Sequence, residues 1–401
     1  TEAGLISSKL AIADLTGGTA YVAPPVQQQI VPVTATTNLT GGIEVSVADA
    51  KLAVDKLTGK VPVDYEIMFA RPVGQLTKVS VPNPYSAPPI ASLHPGPLYV
   101  PKTFCGYTHL MAYTPMNASD SQWENPCICA SNDPEKDGWE LPSGAPNPLW
   151  PKPLGAGYNS DTHLFMVSPS VLGLLFRARN VGTPSKNRLY ILTTTDLVNW
   201  TVPVEIWSGL TGSSDLASPS IFYDSTIEKW VIFGHNLDVV NRDFCKITSS
   251  DLLSGWDTSP TVVNFPIPAA GRKWWHSWFT RLESGRIVGF AMDNNGAVGT
   301  PGYIYVAQSY DNGANFESCW IKGESTTELY YRPAGWFVEH NGVVDARIIY
   351  SYISSPYMVV QKLELRGSTT KSAEFERMGG LLAIAGKMKS RGLLLADDFN
   401  R

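Results

Sequence analysis

The chain has 401 residues and a net charge of −5, with 31 Lys and Arg against 36 Asp and Glu. No basic face or run offers the electrostatic footprint of a nucleic-acid binder, and no apolar stretch approaches the roughly 20 residues needed to cross a bilayer. Aromatic residues are frequent (12 Trp, 17 Tyr, 14 Phe), and 34 Gly with 30 Pro supply turns, a balance that suits a well-packed, turn-rich protein.

Residues 1–61 read as an arm. The opening "TEAGLISSKL" has neither the basic start nor the apolar core of a signal peptide. "PPVQQQIVPVTATTNLTGG" is rich in Pro, Gln and Thr, with short β-prone runs. Val47, Ala50, Val54 and Leu57 then mark a short helical stripe that Gly59 ends. So weakly cored a segment is expected to serve attachment or oligomerisation.

From residue 62 to 366 the chain repeats. "ASNDPEKDGW", "TTTDLVNW", "TSSDLLSGW" and "QSYDNGANF" each follow a strand-like run and carry an Asp (133, 196, 251, 311), with spacings of 63, 55 and 60 residues. A second set of markers opens each unit at His94, Asp161, Ser218, His276 and Arg332, with spacings of 67, 57, 58 and 56. Two independent landmarks therefore share one period. Each unit runs through about four short strands rich in Val, Ile, Tyr and Phe, punctuated by turns, which predicts an all-β five-bladed propeller. The Asp is expected to hold a tight turn before each blade's outer strand, and the following aromatic to cover the gap between blades. The fifth unit lacks this device, so a strand from the other flank must complete it; "DYEIMFARP" (Asp64–Pro72) is the segment expected there.

Five cysteines without CxxC pairs make neither a disulfide framework nor a zinc site. Cys127 and Cys129 are read as small apolar residues on one face of a strand. Residues 367–401 read as an interrupted helical connector leading into a further β domain.

In a propeller the innermost strands begin around a central funnel, which places His94, Asp161, Ser218, His276 and Arg332 there. Glu124 opens another strand of blade one and reaches toward the rim. Trp123, His163, Trp275 and Tyr331 flank these positions; their rings either stack on sugars or pack between blades.

The stretches "HPGPLYVP", "HLMAYTP", "WENPCICASND" and "YNSDTHL" resemble the five-bladed propellers of the clan that includes arabinanases, xylosidases and invertases. The resemblance, over about residues 62–366, is closest to propeller modules of bacteriophage tail proteins. It implies a tail component of the virion (tail tip or baseplate) that contacts host-surface carbohydrate and other tail proteins, as a homo-oligomer with a trimer favoured. The glycosidases of that clan use three carboxylates at the first three blade openings. Here those positions hold His94, Asp161 and Ser218, so only one matches, and Glu124 would have to act from another strand. Hydrolysis needs two carboxyl groups flanking the bond. Three readings stand: a carbohydrate-binding propeller, a glycoside hydrolase with Glu124 and Asp161 as its pair, and a platform without a ligand. No cofactor is expected, except that the resemblance implies a funnel cation near His276.

Overall fold

Strand pairs with strand from Ile67 to Gly367 in the computed structural model. It describes residues 36–37, 43–44 and 67–367, the last span without 86–89, 118–122, 137, 154–156, 182–184, 211–213, 238–241, 266–271, 295–301, 323–329, 341–342 and 353–354. The helical stripe at 47–57 and the connector beyond 367 lie outside the described residues. Of the arm, one short ladder is described, β1 (Thr36–Thr37) against β2 (Ile43–Glu44). Contacts group Glu66–Gly367 as one unit, and Thr1–Tyr65 with Ser368–Arg401 as another. The described residues contain no α-helix.

The larger unit is a five-bladed propeller. Blade one holds β4 (Ile90–Phe104), β5 (Tyr107–Asn117) and β6 (Cys127–Ser131). Blade two holds β7 (Tyr158–Ser168), β8 (Val171–Val181), β9 (Lys186–Thr194) and β10 (Val204–Leu210). Blade three holds β11 (Ala217–Asp224), β12 (Lys229–His235), β13 (Phe244–Ser249) and β14 (Thr261–Val262). Blade four holds β15 (Lys273–Arg281), β16 (Ile287–Asn294), β17 (Ile304–Ser309) and β18 (Glu317–Lys322). Blade five runs β19 (Tyr330–His340), β20 (Val343–Tyr352), β21 (Tyr357–Gly367) and then β3 (Ile67–Ser80).

The expected closure is therefore present. β3 lies antiparallel to β21, from Ser80 opposite Tyr357 to Ile67 opposite Gly367. Pro72, which has no N–H to give a ladder, is tolerated because β3 is the blade's outer edge. Blade one departs from four strands. Among the described residues it has, in place of an outer strand, a single bridge, with Ala130 and Glu140 exchanging backbone hydrogen bonds of 2.8 and 2.9 Å.

Burial falls from the axis outward. β16 is buried throughout, whereas both residues of β14 are exposed. The apolar core is a ring of interfaces between neighbouring blades. Leu110 and Ile128 of blade one pack with Leu172 and Leu174 of blade two. Leu175 and Ile191 meet Ile221 and Ile232 of blade three. Phe233 and Phe244 meet Phe279 and Ile287 of blade four. Trp278 and Phe290 join Trp336 and Ile348 of blade five and Met111 of blade one.

The repeated Asp-to-aromatic device is architecture. Asp196 Oδ1 accepts the Val198 and Asn199 amides at 2.9 and 2.7 Å. Asp251 Oδ1 accepts Leu253 N at 2.8 Å, and Asp311 Oδ1 accepts Ala314 N and Asn315 N at 3.1 and 2.9 Å. A hydroxyl two residues upstream (Ser131, Thr194, Ser249, Ser309) accepts the Asp amide in all four turns. Asp133 differs in that its carboxylate, besides a backbone hydrogen bond from Glu135, pairs with Lys136 Nζ at 2.6 Å. Trp139, Trp256 and Phe316 are buried in the inter-blade clusters, and Trp200 packs against one.

Candidate functional site

Each innermost strand breaks register at its axial end: between Leu93 and Gly96, Ser160 and His163, Ala217 and Ser220, Trp274 and His276, and Tyr331 and Ala334. A bulge sets two residues against one and re-aims a side chain. In blades one, two, three and five the first bulged residue is the blade opener, and in blade four the extra residue is Trp275. His94, Asp161 and Ser218 also hold positive φ angles of 53°, 54° and 49°. Strain of this kind costs about 1–3 kcal/mol per residue and persists only where the surroundings impose it.

These bulges bring the five openers together around Asp161. Its Oδ1 lies 3.5 Å from His94 Nε2, 3.7 Å from His276 Nδ1 and 3.9 Å from Arg332 Nη1. The Ser218 hydroxyl stands 3.3 Å from the same oxygen and 2.7 Å from His276 Nδ1. Asp161 Oδ2 takes a short hydrogen bond from Arg177 of β8, whose Nε and Nη2 reach Asp215 at 3.0 and 3.1 Å. Arg332 spans blades, donating to the carbonyls of Thr162 at 3.0 Å and Ser277 at 3.3 Å. His94 Nδ1 is fixed by Thr114 Oγ1 at 2.6 Å. Glu124, in the loop before β6, places Oε2 4.0 Å from that same nitrogen.

The cluster is sealed: His94, Asp161, Ser218, His276 and Arg332 are at most 3% exposed and Glu124 6%. Burial sets its protonation. It raises the Glu124 carboxyl to about 8, with the Asp161 charge adding to the effect and Arg177 opposing it. Burial would raise Asp161 too, but His94, Arg177, Arg332 and His276 outweigh it and hold that carboxyl well below its ordinary range. Burial lowers His94 to about 4 and His276 well below the usual imidazole range. Arg332 falls to about 10 through burial, Asp161 opposing. At neutral pH the site thus combines an ionised aspartate, two arginine cations, neutral imidazoles and a protonated glutamic acid.

Around this cluster the side chains are half-buried. Tyr331 lies against His276 and His94, with ring centroids 4.5 and 5.3 Å away. Trp275 carries the Arg242 guanidinium 4.6 Å over its ring. Trp123 meets Tyr85 edge-on at 4.8 Å, and the Tyr85 hydroxyl accepts from Asn125 at 2.8 Å. His163 does not join this rim. Further along β7, it is buried, faces the Phe279 carbonyl across the axis at 3.1 Å and packs beside Trp278.

Thr114, Arg177 and Asp215 escaped the sequence reading. Arg177 had one visible signal, a cation closing the apolar run "VLGLLF". His94, Asp161 and His276 each offer a donor atom, all within 4.8 Å of one another, and so could hold a metal ion.

No protein-family model matches the chain, and no curated protein matches it. Among solved structures it is similar to an N-acetylgalactosamine deacetylase from F. plautii in complex with blood group B trisaccharide. That alignment has 19% identity and a TM-score of 0.60, and covers 74% of this chain and 95% of the deacetylase. The catalytic domain of a Coprinopsis cinerea GH62 α-L-arabinofuranosidase aligns at 12% identity and TM-score 0.47, over 72% of this chain and 96% of its own. A GH43 β-xylosidase/α-arabinofuranosidase from a compost metagenome aligns at 12% identity and TM-score 0.44, over 69% and 91%. At 19% identity the likeness to the deacetylase is one of fold alone.

Proposed function

We propose that the axial end of this propeller recognises carbohydrate. The observation that carries the reading is the convergence of five bulged strand openings on one point, which sets polar side chains beneath a rim of half-buried aromatic rings. Sugar recognition needs that combination, with ring faces for apolar C–H surfaces and fixed polar groups for hydroxyls. The F. plautii propeller, with its bound trisaccharide, supports the same class of ligand. Because the openers are sealed, a glycan would meet Trp123, Trp275 and Tyr331, and the ionic cluster beneath would keep those rings in place. The wider role implied by the resemblance, a phage tail protein that attaches to host-surface glycans, rests on the sequence motifs alone.

A glycan array probed with the full chain tests the reading. Binding is expected, and Trp123→Ala and Trp275→Ala should each weaken it by about 1 kcal/mol, the worth of an aromatic contact. Absence of binding to any glycan, or binding unchanged in both variants, would defeat it.

Glycoside hydrolysis is a second reading, favoured by the opposite displacement of the Glu124 and Asp161 carboxyls, an acid held protonated beside a base held ionised. Against it stand the burial of both and the locking of Asp161 by Arg177. Product analysis on any array hit separates the two: sugar release that Glu124→Gln abolishes while binding persists would establish the enzyme.

A further inference from the structure

We infer that the saccharide this rim accepts carries an anionic group, clasped by Arg179 of blade two and Arg242 of blade three beside the Trp275 ring. The inference rests on the carbohydrate reading above and names the class of sugar.

Strand register puts both arginines at the axial mouth. In the β7–β8 ladder Ser160 lies opposite Arg177, and Tyr158 opposite Arg179. Arg179 is therefore on the same face of β8 as Arg177, two residues nearer the open end. That face is turned toward blade three, because Arg177 reaches Asp215 just ahead of β11. Arg242 comes to the same end from blade three. It stands two residues before Phe244, whose ladder partner His235 lies opposite Ala217 at the axial start of β11. From there it crosses to blade four. Its Nη1 donates to the Trp274 carbonyl at 3.4 Å, and its guanidinium lies 4.6 Å over the Trp275 ring. Arg242 also holds a positive φ of 52°, a conformation that a non-glycine residue keeps only where its surroundings impose it.

Beneath these residues the ionic cluster is closed on itself. Arg177 pairs with Asp161 and Asp215, Arg332 stands 3.9 Å from Asp161, and Glu124 is held protonated. Arg179 and Arg242, both half-buried, add two further cations at the rim. Burial lowers the Arg242 guanidinium from its ordinary value, and the neighbouring Arg179 charge lowers it further. Like charges gathered in a half-buried place repel, and an anion set between them turns that repulsion into attraction. Arginine suits the task. Stacking takes up the face of the guanidinium, while its N–H edge matches the paired oxygens of a carboxylate or phosphate. Tyr158, across the ladder from Arg179, is raised by burial and so offers a protonated hydroxyl instead of a competing negative charge. A sugar beside Trp275 would thus set an acidic substituent between the two guanidinium groups.

The test is an array of matched oligosaccharides, neutral, carboxylated (uronic acid), phosphorylated and sulfated, probed with the full chain. Binding is expected on acidic members alone, and the acidic set retained identifies the anion. Arg179→Gln and Arg242→Gln should each weaken it by about tenfold, the scale of one charged hydrogen bond, with a thermal melt checking that each variant folds. If either does not, the wild type answers through salt: binding should fall by about tenfold or more between about 50 and 500 mM NaCl. Neutral counterparts bound as strongly as the acidic hits would overturn the anionic site and leave carbohydrate recognition standing. Binding to acidic members that neither substitution nor salt weakens would do the same. Silence across the whole array would defeat both.

Discussion

Glu124 is held protonated by its surroundings, with consequences for pH. Its carboxyl stands at about 8 in the fold against an ordinary 4.5. Between those values the folded chain keeps a proton that the unfolded chain has lost, so this group's stabilising effect declines as pH rises through the window. The buried histidines act in the other sense. His94 lies at about 4, and His163 and His235 at about 3, all lowered by burial from 6.5. Below pH 6.5 the unfolded chain takes up protons that these imidazoles refuse, and stability falls as the solution is acidified. Each such proton contributes a slope of about 1.4 kcal/mol per pH unit. The protein should therefore melt highest between about pH 6 and 7, and Glu124→Gln should flatten the decline from 6.5 to 8 and steepen the acid limb between 4.5 and 6.5, where the glutamic acid opposes the histidines. A thermal-melt series across that range checks it; an alkaline limb unchanged in the variant would refute this account of Glu124. Asp161 and Glu124 were legible in the sequence as acids at strand openings. Their opposite protonation was not, because it depends on Arg177, Arg332 and the depth of burial, which no local pattern encodes.

The turns and bulges carry the repeat at the level of the strand. Asp311 ties two amides of its turn, whereas Asp133 makes an exposed ion pair with Lys136. Asp311→Ala should therefore lower the melting temperature by about 2–4 °C, the measure of roughly 1 kcal/mol in a domain of this size. Asp133→Ala should leave it essentially unchanged, as surface pairs do. Gly313, in the Asp311 turn, is less replaceable: its φ is +72°, and an added Cβ would fall 2.1 Å from the Phe233 ring. Gly313→Ala should cost more than Asp311→Ala in the same melt, since positive φ and overlap both penalise it. The Asp spacing made the turns readable from sequence, because each turn solves the same backbone problem in the same way. The upstream hydroxyls at Ser131, Thr194, Ser249 and Ser309 were equally regular and went unread. The five bulges left no such trace: a bulge looks like ordinary strand until its partner strand is known.

Closure belongs to the molecule as a whole. The period predicted five blades, and the missing fifth turn pointed to a strand supplied from ahead of blade one; β3 fills that place over 14 residues, further than Asp64–Pro72 alone. The sequence missed that blade one ends in a bridge, since nothing in "ASNDPEKDGW" distinguishes a strand from a strap. Because the core is a ring of inter-blade interfaces, the last interface is as necessary as the first. A chain beginning at Val81 should expose the edge of β21, lose its single sharp melting transition and aggregate. A truncated chain that melts like the intact one would show that β3 is an ornament.

That ladder also decides how the protein bears load. Ile67 and Gly367 face each other at its outer end, so the first and last residues of the propeller stand side by side. Tension drawn apart through both would fall on the Ile67–Gly367 rung, then on the next, unzipping β3 from β21 one rung at a time instead of shearing all the rungs together. Pulled from both flanks, the disc is a weak mechanical link that yields at its own seam.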